Sequence, residues 1–407
     1  MPTSNLQRVT HRTLFPGVLA ILLVGIAATP SHAESIRSQQ WHLTAMKAEE
    51  MWTITKGDGV TVAVIDTGVD DTNADLRGRV LRGKDFAPNG RGDQHTDYGG
   101  HGTGMAGLIA GTGESGAGNG ALGLAPRVKI LPIRVGGNST VFADAIRYAV
   151  DAGVQVVNIS MARDGSVTTP AVRKQQSEAV KYALNKGVLI FAGVGNSGNS
   201  TLEYPAAIPG VVGVGAVGQD LRKADFSQYG PQVDVSAPGI DMVHACNGKT
   251  GLCKTSGTSD ATAIASASAA LVWSHHPDWT NNQVLRAMLN TAAGPTSGAK
   301  RNDYVGYGIV RPRIALKTPG DPGPADEYPL PDLAAAEPKS SSPKAPEPDG
   351  TKNEEDNKQS AAAPSPEDDS DAPLWITLGV GAAALLGAAI AIPVVRARRR
   401  DTTSITR

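Results

Sequence analysis

Aromatic residues make up only 4% of the 407-residue chain, and charged residues only 19%. Charge of either sign is missing as an excess: 38 Lys and Arg against 39 Asp and Glu leave a formal net charge of −1. That balance points to neither nucleic acid nor an acidic partner. There are 2 cysteines, Cys246 and Cys253, and two sulfurs alone do not make a metal site. No acidic cluster reads as a calcium site. What is plentiful is apolar residues, 40%, and 47 glycines. The apolar share leaves enough for a sizeable core, and many glycines with few aromatics suit an α/β enzyme rich in turns.

The two ends differ from the middle. Arg8 and Arg12 precede an apolar run from about Leu14 to Ala28, and small residues stand before a cleavage point after Ala33. Residues 1–33 therefore read as a secretory signal, with an uncleaved anchor helix as the alternative. From Leu374 to Val395 no charge occurs, and Arg396, Arg398, Arg399 and Arg400 follow at once. A run of about 22 residues is long enough to cross a bilayer, and the arginines place residues 396–407 on the cytoplasmic side. A buried core helix is the alternative for 374–395. Between Pro319 and Pro373 stand about fourteen acidic and four basic residues among many Pro and Ser. Residues 318–373 are expected to be a disordered, semi-extended spacer, because they lack the apolar surface to offset the entropy of ordering. The expected layout is a signal (1–33), a leader packing on the domain (34–56), a folded domain (57–317), the spacer (318–373), a transmembrane helix (374–395) and a basic tail (396–407). In an exported domain Cys246 and Cys253 are expected to form a disulfide closing "CNGKTGLC"; two free thiols are the alternative.

Within 57–317, Val- and Ile-rich runs alternate with helical patterns. "GVTVAVIDTG", "VKILPIRV", "VQVVNIS", "GVLIFAGVG" and "VVGVGAV" read as strands. "GTGMAGLIAG", "VFADAIRYAVDAG" and "PAVRKQQSEAVKYALNKG" read as helices. The alternation implies an α/β fold with a mostly parallel sheet between layers of helix. In such sheets functional groups gather at the carboxyl ends of the strands. Asp66 ends "VAVID", His101 opens a helix in "GGHGTGMAG", Ser160 ends "VVNIS", Asn196 follows "LIFAGVG", and Ser259 opens the last long helix in "KTSGTSDATA". Singly, each has a plain reading as a turn, cap or strand-end residue. Together, in the order Asp, His, Ser, they match one known chain order of the serine-hydrolase triad. A lipase or esterase is disfavoured, since those enzymes run Ser, Asp, His.

"VIDTGVD", "HGTGMAG" and "SGTSDATA" resemble the three signature segments of the subtilisin-like serine proteases. The resemblance covers about Gly57 to Ala315. With the signal, short leader, acidic linker and C-terminal span, the chain looks most similar to the mycosins, membrane-anchored proteases associated with type VII secretion in actinobacteria. The resemblance implies a subtilisin-like three-layer fold and a serine endopeptidase acting on protein or peptide substrates. No cofactor, no metal ligand set and no nucleic-acid partner is read from the sequence. Ser259 would be the nucleophile, His101 its base, Asp66 the group that orients His101, and Asn196 an oxyanion donor. Ser160, Met161 and Ala162 resemble the edge segment that pairs with an extended substrate, although a plain strand end accounts for them too.

Two departures from the family pattern stand out. Asp260 and Ala263 occupy positions usually apolar and proline. A carboxylate in the first helical turn favours the dipole; in the catalytic pocket it would oppose an oxyanion and favour a basic substrate residue. The leader is too short for an independent inhibitory domain, and is expected to pack through Trp41, Leu43, Met46, Met51 and Trp52. The glycines of 113–123 read as turns in a flexible loop. Two functions remain: an active membrane-tethered endopeptidase, or a structural subunit of a secretion complex with dispensable activity.

Overall fold

The computed structural model describes residues 35–87, 91–136, 141–247 and 250–336. The expected signal, transmembrane helix and basic tail lie outside the described residues, as does the spacer beyond Ala336. Among the described residues no helix is long and apolar enough to cross a membrane.

Seven strands, counted among the described residues, form the main sheet: β1 (Thr61–Asp66), β2 (Lys84–Asp85), β3 (Lys129–Arg134), β4 (Val156–Ile159), β6 (Leu189–Gly193), β8 (Val212–Val217) and β9 (Val235–Pro238). They lie in the order β2-β3-β1-β4-β6-β8-β9, and every pairing is parallel. A parallel sheet is covered on both faces, which is why its strands read as unbroken apolar runs. The pleat divides β1 accordingly. Val62 and Val64 face a core shared with α4 (His101–Ala110) and α8 (Thr258–His275). Ala63 and Ile65 face a second core against α6 (Phe142–Asp151) and α7 (Pro170–Asn185).

Helix α8 is buried from Thr258 almost without break to Trp273, apart from partly covered Ser259. Such burial demands small side chains and internal satisfaction of every hydroxyl. Thr262 and Ser268 each donate to the carbonyl one turn back, at 2.7 Å, and Ser266 reaches Asn158 Oδ1 at 3.1 Å. Two short ribbons flank the sheet: β5 (Arg163–Asp164) pairs with β7 (Glu203–Tyr204), and β10 (Met242–Ala245) with β11 (Leu252–Thr255), both antiparallel. Cys246 and Cys253 are joined as a disulfide at the end of the second ribbon.

The leader forms α1 (Ile36–Gln39), α2 (Trp41–Ala45) and α3 (Ala48–Trp52) against the domain. Leu43 and Met51 are fully buried, each worth about 1.5–3 kcal/mol of transfer, while Trp41, Met46 and Trp52 are partly covered. Trp41 donates its indole N–H to Ile240 O at 2.9 Å and Trp52 to Leu124 O at 2.9 Å. Buried Gln40 donates to Leu122 O at 2.7 Å and Val243 O at 3.1 Å. The glycine-rich stretch 113–123 contains α5 (Ser115–Gly118) and is organised by one buried acid. Asp75 accepts from Ser115 N, Ser115 Oγ and Ala121 N at 2.8–2.9 Å.

The expected boundary at 318 is not where the described fold ends. Residues 321–327 lie along α9 (Asn281–Thr291), whose side chains hold their carbonyls: Asn290 to Asp321, Gln283 to Gly323, Thr280 and Asn282 to Ala325, Arg286 to Glu327, at 2.9–3.1 Å. Beyond α10 (Pro312–Lys317), Tyr328 and Leu330 enter the core next to α8, and Asp332 in α11 (Pro331–Ala336) accepts Gly210 N–H at 2.8 Å. The two apolar anchors and a polar helix face supply the interactions that composition alone did not reveal.

Candidate active site

Asp66, Ser160 and Asn196 stand at or just past the carboxyl ends of β1, β4 and β6, and His101 and Ser259 stand in the first turns of α4 and α8. Asp66 terminates β1 and is fully buried; its Oδ1 accepts Thr67 N–H at 2.7 Å and lies 2.7 Å from His101 Nδ1. The contact requires close backbone approach. A Cβ on Gly102 would fall 2.1 Å from Gly68 O and 3.0 Å from Asp66 Cβ, so only glycine fits beside His101. The His101 side chain keeps 40% exposure, so Nδ1 is committed to Asp66 while the other edge of the ring faces outward. The Asp66 carboxylate pushes the His101 pKa up to about 9, against burial, with Asp260 and Asp97 adding to the rise.

Ser259 lies in the first turn of α8, after extended Gly257. Its hydroxyl donates to Ser160 O at 3.0 Å, not to His101. Its carbonyl accepts from Ser160 Oγ at 3.2 Å, and Ser160 Oγ in turn accepts from Asn158 Nδ2 at 2.9 Å. A buried chain Ser266–Asn158–Ser160 therefore ties the end of β4 to the start of α8. Asn196 Oδ1 accepts both Thr258 N–H at 2.8 Å and Thr258 Oγ1–H at 3.0 Å. These bonds fix the amide so that Nδ2, the donor end, is left over. A cavity of about 260 Å³ is lined by Ser160, Ala162, Asn196 and Ser259, together with Gly193 and Glu203. Met161 is not among its walls; it packs against the second core.

Asp260 stands in the first turn of α8 and is not among the cavity walls. Asp260 is only 2% exposed and is held by Thr255 and His244 of the β10–β11 ribbon. Thr255 Oγ1 lies 2.5 Å from Asp260 Oδ1 and 2.7 Å from His244 Nε2, and His244 Nδ1 donates to Ala245 O at 2.7 Å. Burial raises the Asp260 pKa to about 6 and lowers that of His244. Both groups are thus driven towards neutrality. Thr255 donates its hydroxyl to Asp260 Oδ1, which opposes the effect of burial on the carboxylate.

Sequence reasoning passed over Thr67, Asp97, Asn158, Glu203 and His244. Asp97 accepts Thr67 Oγ1 at 2.8 Å, Gly100 N–H at 2.9 Å, Thr103 N–H at 2.8 Å and Thr103 Oγ1 at 2.7 Å. It closes the start of α4 and hence the His101 loop. An acid shortly before a helix and a lone Asn inside "VVNIS" were the available signals.

The subtilase family model matches residues 57–308. The chain belongs to the subtilase family. A thermophilic serine proteinase of Bacillus sp. (strain AK1) is 41% identical over 265 residues, 64% of this chain and 62% of that relative's own length. Among solved structures, the MycP3 protease of the type VII (ESX-3) secretion system aligns with a TM-score of 0.59 at 30% identity, covering 68% of this chain and 87% of the other. A chain of the periplasmic assembly from the ESX-5 inner membrane complex aligns with a TM-score of 0.65 at 27% identity, covering 74% and 89%. This subtilase is a subtilisin-like α/β serine protease related to the mycosins of type VII secretion.

Proposed function

We propose that this subtilase is a serine endopeptidase with Ser259 as nucleophile, His101 as general base and acid, Asp66 as the group orienting His101, and Asn196 as an oxyanion donor. The observation that carries the reading is the 2.7 Å contact between buried Asp66 and His101 Nδ1, which leaves the outward ring nitrogen to accept the Ser259 proton. On substrate binding the Ser259 hydroxyl turns from Ser160 O towards His101. Oγ attacks the scissile carbonyl as the imidazole takes its proton. Asn196 Nδ2 and the Ser259 N–H receive the developing oxyanion at the positive end of α8. The imidazolium then protonates the leaving amine, and water hydrolyses the acyl-enzyme by the same path. The backbone of Ser160, Met161 and Ala162 pairs with the extended substrate. The apolar segment 374–395 holds the domain to the outer face of a membrane.

Turnover of an internally quenched peptide by the full chain in detergent tests the reading. Ser259→Ala should lower kcat/KM by at least about a thousandfold, and Asn196→Ala by about 10²–10³. A second role as a subunit of a secretion membrane complex is supported by the likeness to a chain of the ESX-5 assembly. If Ser259→Ala leaves secretion intact while deletion of the whole chain abolishes it, that role is independent of proteolysis.

A further inference from the structure

We propose that Glu203 makes the cavity beside Ser259 select a cationic side chain, lysine or arginine, on the substrate residue whose carbonyl is attacked. The inference rests on Ser259 being the nucleophile. A carbonyl held between Ser259 and Asn196 directs its own residue's side chain into the cavity those two residues share. Around that cavity stand hydroxyls, glycines and the Asn196 amide, and Glu203 is the acid among its walls. Asp260, the acid next to the nucleophile in sequence, is not among those walls.

Glu203 has no counter-ion among the described residues. Its partner across the β5–β7 ribbon is Asp164, another carboxylate. Of the nearby cations, Arg163 stands in register with Tyr204, and Arg173 of α7 lies over the Tyr204 ring at 5.5 Å. The backbone makes room for the carboxylate. Gly195 has φ +110°, and a Cβ there would fall 2.5 Å from Glu203 Oε1 and 1.7 Å from Gln228 Oε1. Gln228 is buried and fixed, donating to Thr201 O at 2.5 Å, and its amide also hydrogen-bonds the Glu203 carboxylate without bringing a counter-charge. Burial, and then the charge of Asp164, hold the Glu203 pKa above the usual carboxylate value. A half-buried carboxylate facing a like charge gains most from a cation brought to it; an apolar side chain would strip its water and give nothing back. The β5–β7 ribbon thus builds an unpaired negative charge into the wall of the substrate cleft.

The test compares peptides identical except for lysine, arginine, norleucine or glutamate before the scissile bond. Each is cleaved by the full chain in detergent, with fluorophosphonate labelling of Ser259 as the measure of an assembled site. The expected order is lysine and arginine above norleucine, and norleucine above glutamate. In Glu203→Gln the lysine-to-norleucine ratio of kcat/KM should drop about tenfold, as for loss of a hydrogen bond to a charged group. Glu203→Lys should raise glutamate above lysine. Ser259-dependent cleavage in which wild type takes norleucine as readily as lysine overturns this inference alone. So does an unchanged ratio in a Glu203→Gln protein that still labels. Absence of Ser259-dependent labelling in wild type overturns the nucleophile assignment, and this inference with it.

Discussion

The hydroxyl of Thr67 donates to Asp97 Oδ1 at 2.8 Å and accepts the Gly102 N–H at 3.0 Å. One side chain thereby joins the end of β1, which carries Asp66, to the start of α4, which carries His101. Thr67→Val keeps the shape and removes the link, leaving Asp97 short of a donor. The expected result is a kcat lower by about tenfold with KM little changed, and stability lower by about 1–3 kcal/mol. Thr67→Ser should restore both. Steady-state kinetics with a chemical denaturation curve for each variant checks this; an unchanged kcat would reduce Thr67 to a structural residue.

Activity and stability should run in opposite directions with pH. The His101 pKa is raised to about 9, chiefly by Asp66. A raised folded-state value means that the pair stabilises fully below the unfolded pKa of about 6.5 and loses that contribution as pH climbs through the folded value. Catalysis needs the neutral ring, so kcat/KM should increase over the same interval. Asp66→Asn removes the main cause, and its acid limb should move down towards the ordinary histidine range. Rates and thermal midpoints measured between pH 6 and 10 decide it.

Much of the fold was legible because a parallel sheet buried on both faces writes itself as apolar runs. β1, β3, β4, β6 and β8 all fall within stretches read as strands. Asp66, His101, Ser160, Asn196 and Ser259 were legible because each stands where such a run or a helix meets a polar break. β9, the β10–β11 ribbon and the strap 321–336 were not, since "VSAP" and the Pro-rich strap carry no periodicity and depend on partners distant in sequence. The partners of Asp260 were not legible for a related reason. Its neighbours in sequence place it at the helix start, but Thr255 and His244 decide which way it points.

Asp260 accepts the Thr255 hydroxyl at the end of the Thr255–His244 chain. Asp260→Asn keeps an acceptor for Thr255 and should fold well and retain Ser259 labelling, whereas Asp260→Ala removes the acceptor of the Thr255 hydroxyl and should cost about 1–3 kcal/mol. The raised Asp260 pKa, about 6, adds a stability contribution that is full below the unfolded carboxylate pKa of about 3.9 and fades as pH rises through the folded value. Denaturation curves of the two variants at pH 5 and pH 8 separate these effects.

The disulfide also bears on the site. Asn73 Nδ2 donates to Cys246 O at 3.0 Å, and Asn247 Nδ2 donates to Asp97 O, so the ribbon end touches the loop that carries His101. Replacing Cys246 and Cys253 by serine opens a small loop, for which chain entropy gives about 2 kcal/mol. The double variant should melt earlier and turn over more slowly, as differential scanning calorimetry beside a peptide assay will record.

The most direct measurement is fluorophosphonate labelling of the full chain, with the modified residue mapped by mass spectrometry and the rate compared in His101→Ala. The account predicts one adduct, on Ser259, formed at least about a hundredfold faster with His101 present than without it. An adduct elsewhere, or a Ser259 rate indifferent to His101, would contradict it.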